Sequence, residues 1–338
     1  MNKKIIFDVM NSDNGEICAI QAANKFAKEF PNYTLVLVGN QETINNNIDK
    51  KLKNLEVVNS SKVVKKATAN IRELLREESS MLTSFEELNK GADAILSSGD
   101  SGAFTIISSL KIKRLDGIER PAFMPIIPSA NPEKNFLLLD AGANVEIKST
   151  NIVEWAKLAN VVFKNLFSKN DFVKVGILNI GTENYKGISA IKEANELIIS
   201  AKNLDYEYLG FVEPNNVING ELDVVLADGY AGNIFLKTYE SATKSMASIF
   251  KKAFMKNLKT KIGALLLRKE LNKIKTRYDY RNIGGAFIIG LEKIIVKAHG
   301  SSDEVAFYGA LNQIRFGLEN NLIDKIKEKL NNLKKEDE

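Results

Sequence analysis

The stretch Ile294-Ile-Val-Lys-Ala-His-Gly-Ser-Ser-Asp303 decides how this chain folds around its most polar loop. Its first three residues form an apolar run that is typical of a buried strand. Gly300 allows a tight turn, and Ser301 and Ser302 are suited to N-cap the helix that the following apolar residues predict. Free N–H groups and the helix dipole converge there beside Lys297, so the stretch predicts an anion site. An ordinary βα loop is the alternative interpretation.

The composition indicates a globular protein without disulfide bonds. The chain has 338 residues, of which 44% are hydrophobic, and this length suffices for one large domain or two ordinary ones. Cys18 is the only cysteine, which fits a reducing cytosol. No apolar run approaches the roughly 20 residues of a membrane span, and the first eight residues lack the features of a signal peptide.

The positive charge is concentrated in one segment. The net charge is +5, but Lys251–Arg277 carries +9, which leaves −4 for the rest of the chain. Nucleic-acid binding favours a broader basic surface with interleaved aromatic residues, so we expect no nucleic-acid partner. We expect a single α/β domain over residues 1–338, with a protruding basic amphipathic helical region at approximately residues 240–280.

Runs typical of strands alternate with runs typical of helices along the chain. The predicted strands are Lys4–Val9, Tyr33–Gly39, Leu55–Val58, Ala94–Ser98, Ala122–Ile127, Phe136–Leu139, Val175–Ile180, Tyr208–Val212, Val224–Ala227 and Ile294–Val296. Pro125 and Pro128 indicate an edge strand or a break within Ala122–Ile127. The predicted helices include Glu16–Glu29, Ile71–Leu88, Ala103–Leu110, Ile152–Phe167 and Ile188–Lys202. This alternation predicts an α/β fold, with a mainly parallel sheet covered by helices on both faces.

Small and polar residues follow six of the predicted strands. In parallel sheets the ligand lies beyond the carboxyl ends of the strands, so these loops predict one site. The loops are Asp8 with Met10–Asp13, Ser97–Ala103, Asp140–Val145, Asn179–Glu183, Asp228–Asn233 and Lys297–Asp303.

Several other kinds of site are excluded by their missing motifs. No dinucleotide fingerprint, P-loop or G-x-S-x-G elbow occurs, so no cofactor is predicted. One histidine and one cysteine make a zinc site improbable, and no metal is expected. Cys18 lies in an amphipathic helical run, where a buried apolar role is favoured over a nucleophilic one.

Eight sequence blocks resemble the bacterial acyl-[acyl-carrier-protein]:phosphate acyltransferase (PlsX) family, in the family's order. The blocks are Asp8-Val-Met10 with Asp13, Ser98–Ala103, Arg120–Ala122, Phe136–Val145, Asn179–Glu183, Asp228–Asn233, Gly284-Gly285 and Lys297–Asp303. The resemblance implies transfer of a long-chain fatty acyl group from acyl-carrier protein to inorganic phosphate, which gives acyl phosphate for phospholipid biosynthesis. It also implies a homodimer whose fold is similar to that of phosphotransacetylases and isocitrate dehydrogenases.

The chain departs from the family pattern at three places. Asn11 and Ser12 stand where the family has two glycines, and Asp100 stands where it has asparagine. Acidic residues at 77 and 78 precede Ser79-Ser-Met81, where the family has a basic run. An ionised Asp100 is expected to repel phosphate, because like charges at short range destabilise each other.

The loops and the resemblance together predict the site residues. Lys297 supplies charge to phosphate, and His299 donates to the thioester oxygen or protonates the leaving thiolate. The predicted catalytic residues are Lys297, His299, Asn144 and Asn233. The predicted phosphate- and substrate-binding residues are Asp8, Asp13, Gly99, Ser101, Gly102, Gly142, Gly181, Thr182, Glu183, Asp228, Gly229, Gly232, Gly300, Ser301 and Ser302. For His299 the alternative is a residue that only supports its loop, and for Asn144, Glu183 and Asn233 it is turn formation.

The basic segment also predicts attachment to a membrane surface. Leu258, Ile262, Leu265 and Leu266 recur at helical spacing among lysines, a pattern that favours the interface of an anionic bilayer. We expect a cytoplasmic protein that binds peripherally to the inner face of the cell membrane, near a membrane glycerol-3-phosphate acyltransferase. A dimer interface is the alternative use of these leucines, and Gly263 is expected to mark a bend between two helices.

Two alternatives to the acyl-carrier-protein enzyme remain open from the sequence. One is a phosphotransacetylase-like enzyme for small acyl-CoA, which would have a shallow acyl groove. The other is a diverged, weakly active scaffold that docks at a membrane. A nicotinamide-dependent decarboxylating dehydrogenase of similar fold would need metal-binding aspartates and a cofactor loop that the sequence lacks.

Overall fold

Strands and helices alternate along the chain in the computed structural model, which describes residues 3–64, 71–76, 78–167, 172–202, 204–278 and 284–337. The strands are β1 (Lys3–Asp8), β2 (Tyr33–Gly39), β3 (Leu55–Asn59), β4 (Ala94–Ser97), β5 (Ala122–Met124), β6 (Ile126–Pro128), β7 (Asn135–Leu139), β8 (Lys174–Leu178), β9 (Glu207–Val212), β10 (Val224–Leu226), β11 (Ala286–Ile289) and β12 (Ile294–Lys297). The helices are α1 (Glu16–Glu29), α2 (Gln41–Asn47), α3 (Ile71–Arg76), α4 (Ser80–Asn89), α5 (Ser101–Lys111), α6 (Ser149–Phe167), α7 (Ser189–Ser200), α8 (Pro214–Asn219), α9 (Gly229–Phe254), α10 (Leu258–Leu266), α11 (Arg268–Tyr278), α12 (Glu304–Glu319) and α13 (Leu322–Asp337).

The strands form two sheets instead of one. The larger has the order β3-β2-β1-β4-β12-β11-β5, and only β11 runs antiparallel to its neighbours. The smaller has the order β6-β7-β10-β8-β9, and β6 is its antiparallel edge. The carboxyl ends of the parallel strands therefore meet at one edge of each sheet. The predicted α/β class with mainly parallel strands is confirmed.

The break that Pro125 indicates within the predicted strand Ala122–Ile127 is confirmed, and the chain changes sheets there. Pro125 separates β5, in the larger sheet, from β6, in the smaller one. Proline has no N–H group for a sheet ladder, so a break at this residue has a direct physical cause. The segment thereby links the two sheets beside the polar strand ends.

Two other predictions of local structure need correction, and one strand was missed. The helix predicted over Ile71–Leu88 is interrupted: α3 and α4 are separate, and residue 77 lies outside the described residues. Asp303 caps α12 in place of Ser301 and Ser302, since its Oδ1 accepts a hydrogen bond from the Ala306 N–H at 3.0 Å. Strand β11 was not predicted, because its four residues are preceded by two glycines and a short apolar run is ambiguous.

The helical region predicted at 240–280 is described up to residue 278, and residues 279–280 lie outside the described part. It consists of the end of α9 followed by α10 and α11. The bend predicted at Gly263 is wrong, because this residue lies inside α10 and the break falls at Leu267. Neither α10 nor α11 has a buried residue. No helix in the described ranges is long and apolar enough to cross a membrane.

Candidate active site

A cleft of about 610 Å³ opens at the carboxyl ends of the strands. It is bounded by the loops after β1, β4, β7 and β12, the β5–β6 connection and one face of α9. Nine of the residues predicted for the site line this cleft: Asp13, Gly99, Ser101, Gly102, Gly142, Asn233, Lys297, His299 and Gly300.

Lys297 lies at the polar end of the cleft with little access to solvent. β4 pairs with both β1 and β12, and Ser97 is opposite Asp8 on one side and Lys297 on the other. The side chain is only 5% exposed, and its Nζ donates to the Ala298 carbonyl at 2.5 Å. Burial lowers the pKa of Lys297 to about 8, against the opposing pull of the Asp100 and Asp8 charges. The ammonium group is therefore poorly solvated, and an anion bound next to it would stabilise its charge.

Asp8 lies beneath the cleft and connects two of its loops. Its carboxylate accepts hydrogen bonds from the Ser97 hydroxyl at 2.8 Å and the Met10 N–H at 3.2 Å. Ser97 Oγ in turn accepts from the Gly99 N–H at 3.1 Å. Burial raises the pKa of Asp8 to about 6. Asp8 is therefore placed to hold the loops after β1 and β4 in position, and it does not line the cleft.

The loops after β1 and β12 are joined directly. The Asp13 N–H donates to the Gly300 carbonyl at 2.8 Å, and a Cβ at Gly300 would meet the Asp13 carboxylate at 3.1 Å. Asn11 has a left-handed backbone with φ 67°, a conformation that asparagine tolerates better than most residues. The departure from glycine at this position is therefore compatible with the loop.

His299 is oriented by the backbone of its own turn. The Ser301 N–H donates to Nδ1 at 3.2 Å, and Ser301 Oγ lies 2.8 Å from the same nitrogen. Because Nδ1 accepts, the neutral ring carries its hydrogen on Nε2. Burial lowers the pKa of His299, which favours the neutral ring at neutral pH, whereas the Glu240 charge opposes this shift. His299 is therefore suited to donate one hydrogen bond from Nε2.

Asp100 caps the helix that enters the cleft from β4. Its Oδ1 accepts from the Ala103 N–H at 2.9 Å, so one N–H group at the start of α5 is already occupied. Ser101 and Gly102 form the first turn of this helix and line the cleft. A helix N-terminus favours an anion, but the Asp100 charge lies at the same place.

Asp140 was not predicted as a site residue, although it organises the loop after β7. It is fully buried, and its carboxylate accepts five hydrogen bonds. The donors are Phe123 N (2.9 Å), Gly142 N (3.1 Å), Ala143 N (3.0 Å), Asn144 N (2.6 Å) and Asn144 Nδ2 (3.0 Å). Burial raises the pKa of Asp140, while these donors stabilise its ionised form. Phe123 belongs to β5, so Asp140 joins the two sheets across the cleft.

Asn144 does not line the cleft. Its side-chain Nδ2 donates to the Pro121 carbonyl at 2.8 Å as well as to Asp140. This position matches the turn-forming alternative more closely than direct contact with substrate. The available sequence clue to Asp140 was its position directly after a buried strand and before a glycine-containing loop.

The glycines at the start of α9 allow the helix to pack against the Asp140 loop. A Cβ at Gly232 would lie 1.9 Å from the Asp140 carbonyl oxygen, and one at Gly229 would lie 2.4 Å from that of Asn144. Asp228 caps the helix by accepting from the Ala231 N–H at 2.8 Å. These three predicted residues therefore lie beside the cleft, and Asn233 in the next turn lines it.

Five more predicted residues lie outside the cleft lining. Glu183 forms an ion pair with Lys186 at 2.8 Å, in a loop that also contains Gly181 and the exposed Thr182. Ser301 supports His299, and Ser302 is 1% exposed with its hydroxyl buried. The geometry brings together the loops after β1, β4, β7 and β12, but it leaves the loop after β8 apart.

The sequence did not predict the apolar side of the cleft. Its lining includes Phe123, Pro125–Pro128, Leu236, Tyr239 and Tyr278, together with the charged Lys237, Glu240 and Lys244. Most of these residues belong to the β5–β6 connection and to α9, whose positions depend on how the two sheets meet.

The four residues predicted to touch a membrane are all exposed. Their exposed fractions are 73% for Leu258, 52% for Ile262, 64% for Leu265 and 82% for Leu266. Further exposed apolar residues lie on the preceding helix, among them Ile249 at 59% and Phe250 at 55%.

Two solved structures with a similar fold are a phosphotransacetylase and a phosphotransacylase. A phosphotransacetylase from Streptococcus pyogenes has a TM-score of 0.61 and 17% identity, with 96% of this chain and 94% of that one covered. A branched-chain phosphotransacylase from Enterococcus faecalis has a TM-score of 0.57 and 12% identity, with coverage of 94% and 98%. At these identities the likeness shows the fold alone.

Sequence comparison identifies the family. The family model described as "Fatty acid synthesis protein" matches residues 3–325. The "Phosphate acyltransferase" of Mycoplasma mobile is 43% identical, with 96% of this chain and 99% of the relative covered, and that of Mycoplasmopsis agalactiae is 41% identical, with 97% and 98% covered. The chain therefore belongs to the phosphate acyltransferase (PlsX) family, and the acyltransferase class predicted from the sequence is confirmed.

Proposed function

We propose that this enzyme transfers a long-chain fatty acyl group from acyl-[acyl-carrier-protein] to inorganic phosphate. The observation that carries the proposal is the buried Lys297 ammonium at the meeting point of three polar loops. A phosphate dianion bound here would compensate the lysine for the hydration that its charge lost on burial. The acyl phosphate product would serve phospholipid biosynthesis.

Phosphate needs positioning more than activation, because it is already a nucleophile at neutral pH. The backbone N–H groups of Ser101 and Gly102 in the first turn of α5 and the Lys297 ammonium suit the binding of its oxygens. One phosphate oxygen would then attack the thioester carbon. The new C–O bond forms, the C–S bond breaks, and the carrier protein leaves as a thiolate that takes up a proton.

His299 and Asn233 lie beside the polar end and suit the thioester oxygen. The neutral His299 ring carries its hydrogen on Nε2. A hydrogen bond from this N–H group would stabilise the developing oxyanion. Since a thiolate leaves readily, protonation by His299 should contribute only modestly. Asn233 lines the cleft from the first turns of α9 and offers a second donor, its side-chain amide.

Further parts of the proposal concern location and assembly. We propose a single-domain cytoplasmic enzyme that works as a homodimer. The exposed leucines of α10 and the surrounding lysines support reversible binding to the inner face of the cell membrane. Acyl phosphate is labile, so an enzyme at the membrane could pass it directly to a membrane glycerol-3-phosphate acyltransferase that consumes it.

The direct test is to incubate the purified protein with palmitoyl-carrier protein and millimolar phosphate. Formation of palmitoyl phosphate, trapped as the hydroxamate and detected by mass spectrometry, would support the proposal. Small acyl-CoA substrates serve as the comparison, because preference for acetyl-CoA would indicate a phosphotransacetylase. Absence of acyl phosphate, and of the reverse reaction, would reject the enzymatic proposal and favour a membrane-docking scaffold.

A further inference from the structure

The cleft changes from polar to apolar along the edge of the larger sheet. The loops after β1, β4 and β12 supply its polar residues, and the end of β5 supplies Phe123 and Pro125. β5 lies two places from β12, with β11 antiparallel between them, so both carboxyl ends reach the same edge. At about 4.8 Å per strand, the apolar side begins about 10 Å from Lys297.

The opposite wall of the apolar side is α9. Leu236 and Tyr239 are three residues apart and therefore share one helix face. Leu236 belongs to the same buried hydrophobic cluster as Ile127, and Tyr239 packs against this cluster. The Tyr239 ring stacks on Phe235 with 6.3 Å between the ring centres. We call the space between Pro125–Pro128 and this face of α9 the apolar arm.

Hydrogen bonds fix the end of the apolar arm that is farthest from β5. The Tyr239 hydroxyl donates to the Pro128 carbonyl at 2.6 Å. Arg277 donates to the Ser129 carbonyl at 3.1 Å and to the Asn131 carbonyl at 2.6 Å. A tyrosine hydroxyl is protonated at neutral pH and can donate, and burial raises the pKa of Tyr239 further. The end of the arm is thus closed by a tyrosine that its own hydrogen bond holds in place.

We infer that the apolar arm holds the fatty acyl chain and that Tyr239 sets the length of chain accepted. This inference rests on the proposed acyl transfer, since it assigns a role to the part of the cleft that the phosphate and the thioester would not occupy. With the thioester carbon near His299, an unbranched acyl chain would extend along the arm, where its methylene groups would be buried away from water. Each methylene buried contributes about 0.8 kcal/mol, or about fourfold in kcat/KM.

The test is a profile of kcat/KM for acyl-carrier proteins from decanoyl to stearoyl. Tyr239→Ala removes the closing ring, so the preferred length should increase, with about a fourfold gain for each added methylene that fits. Tyr239→Phe keeps the ring and should keep the parent's preferred length. Thr238→Ala is the matched control, because Thr238 is the neighbouring residue of α9 and is exposed. An unchanged profile in Tyr239→Ala would overturn the assignment.

A second variant and a second measurement guard against a misfolded protein. Leu236→Phe adds volume to the wall of the arm and should shorten the preferred chain, whereas an unchanged preference counts against the arm. Displacement of a fluorescent fatty acid by unlabelled decanoate to stearate tests the arm without turnover. If the parent binds fatty acids with a Tyr239-dependent length preference but forms no acyl phosphate, the arm stands and the proposed reaction fails. If acyl phosphate forms while neither variant shifts the preference, the reaction stands and the arm fails.

Discussion

At the scale of the residue, Lys297 is a buried charge whose burial costs stability. Its ammonium is nearly buried and donates to one backbone carbonyl. A bound phosphate dianion would supply the missing stabilisation through a charge-assisted hydrogen bond. We therefore expect Lys297→Ala to raise the KM for phosphate by roughly 10- to 100-fold, the effect of losing one such bond.

The His299→Ala variant should show a different kinetic effect from Lys297→Ala. His299 faces the thioester oxygen in the proposed reaction, so its removal should lower kcat while leaving the KM for phosphate within about threefold, below the loss of one hydrogen bond. Initial rates over a range of phosphate concentrations measure both effects. Equal phosphate KM values in Lys297→Ala and the parent would remove the lysine from the phosphate site.

The same lysine predicts how stability depends on pH. Its pKa is about 8 in the folded protein and 10.5 when unperturbed, so between these values the unfolded chain binds more protons. Stability from this group therefore rises as pH increases from 8 to 10.5. Lys297→Met lacks this dependence, and its stability relative to the parent should fall by about 3 kcal/mol over this range. Urea unfolding at both pH values measures the change, and a constant difference would contradict it.

Asp100 is the departure from the family pattern that has a defined structural role. Its carboxylate caps α5 beside the polar end of the cleft. Asparagine caps helices equally well, so Asp100→Asn should keep stability and raise phosphate affinity by removing a negative charge. Asp100→Ala, which loses the cap, should cost about 1 kcal/mol of stability and serves as the comparison. Unchanged or weaker phosphate affinity in Asp100→Asn would indicate that this charge has acquired a role of its own.

At the scale of elements, α10 is the helix whose exposed apolar residues need an explanation. Leu265 and Leu266 are 64% and 82% exposed, and lysines surround them. Leu265→Glu/Leu266→Glu should abolish flotation with anionic vesicles, because carboxylates replace the side chains that would enter the bilayer. The parent should float with anionic vesicles, less so at high salt, and only weakly with neutral ones.

A matched pair of substitutions on another helix controls for added charge. Leu197→Glu/Ile199→Glu changes two exposed apolar residues of α7 and should leave flotation unchanged. The oligomeric state of each variant separates the two uses of α10. If Leu265→Glu/Leu266→Glu becomes monomeric, or if the parent never floats, the leucines belong to a dimer interface and attachment to the membrane is wrong.

At the scale of the whole molecule, Asp140 joins the two sheets. One of its five donors, the Phe123 N–H, belongs to the larger sheet, and the other four belong to the loop of the smaller sheet. Asp140→Asn replaces one acceptor oxygen by an N–H donor, so at least one buried hydrogen bond is lost. We expect the free energy of unfolding to fall by about 1–3 kcal/mol.

Chemical denaturation measures this loss, and Asp49→Asn is the matched control. Asp49 is an exposed carboxylate that accepts one backbone hydrogen bond, from the Lys51 N–H at 3.0 Å, so its replacement should have little effect. The KM values for phosphate and for acyl-carrier protein should both rise in Asp140→Asn if the sheet junction sets the width of the cleft. Equal stability of the two variants would show that Asp140 does not hold the sheets together.

The sequence by itself determined the features that depend on neighbours along the chain. Helix α1 has the predicted bounds, and strand β12 ends within one residue of its predicted end, because apolar periodicity and glycine turns are local signals. The polar loops after β1, β4 and β12 could be predicted to meet, since parallel strands place their carboxyl ends at one edge. The positions of Lys297 and His299 at the cleft could therefore be predicted without a structure.

Only the tertiary structure decided which distant segments come together. The division into two sheets at Pro125, the apolar arm and the five bonds to Asp140 all arise where the β5–β6 segment meets α9 and the loop after β7. The predicted loop at Asn179–Glu183 follows β8 yet lies apart from the cleft, because β8 is separated from β7 by β10. Strand order is set by long-range pairing and packing, which leave no periodic signal in the chain. Local patterns therefore predicted the polar end of the cleft and missed its apolar end.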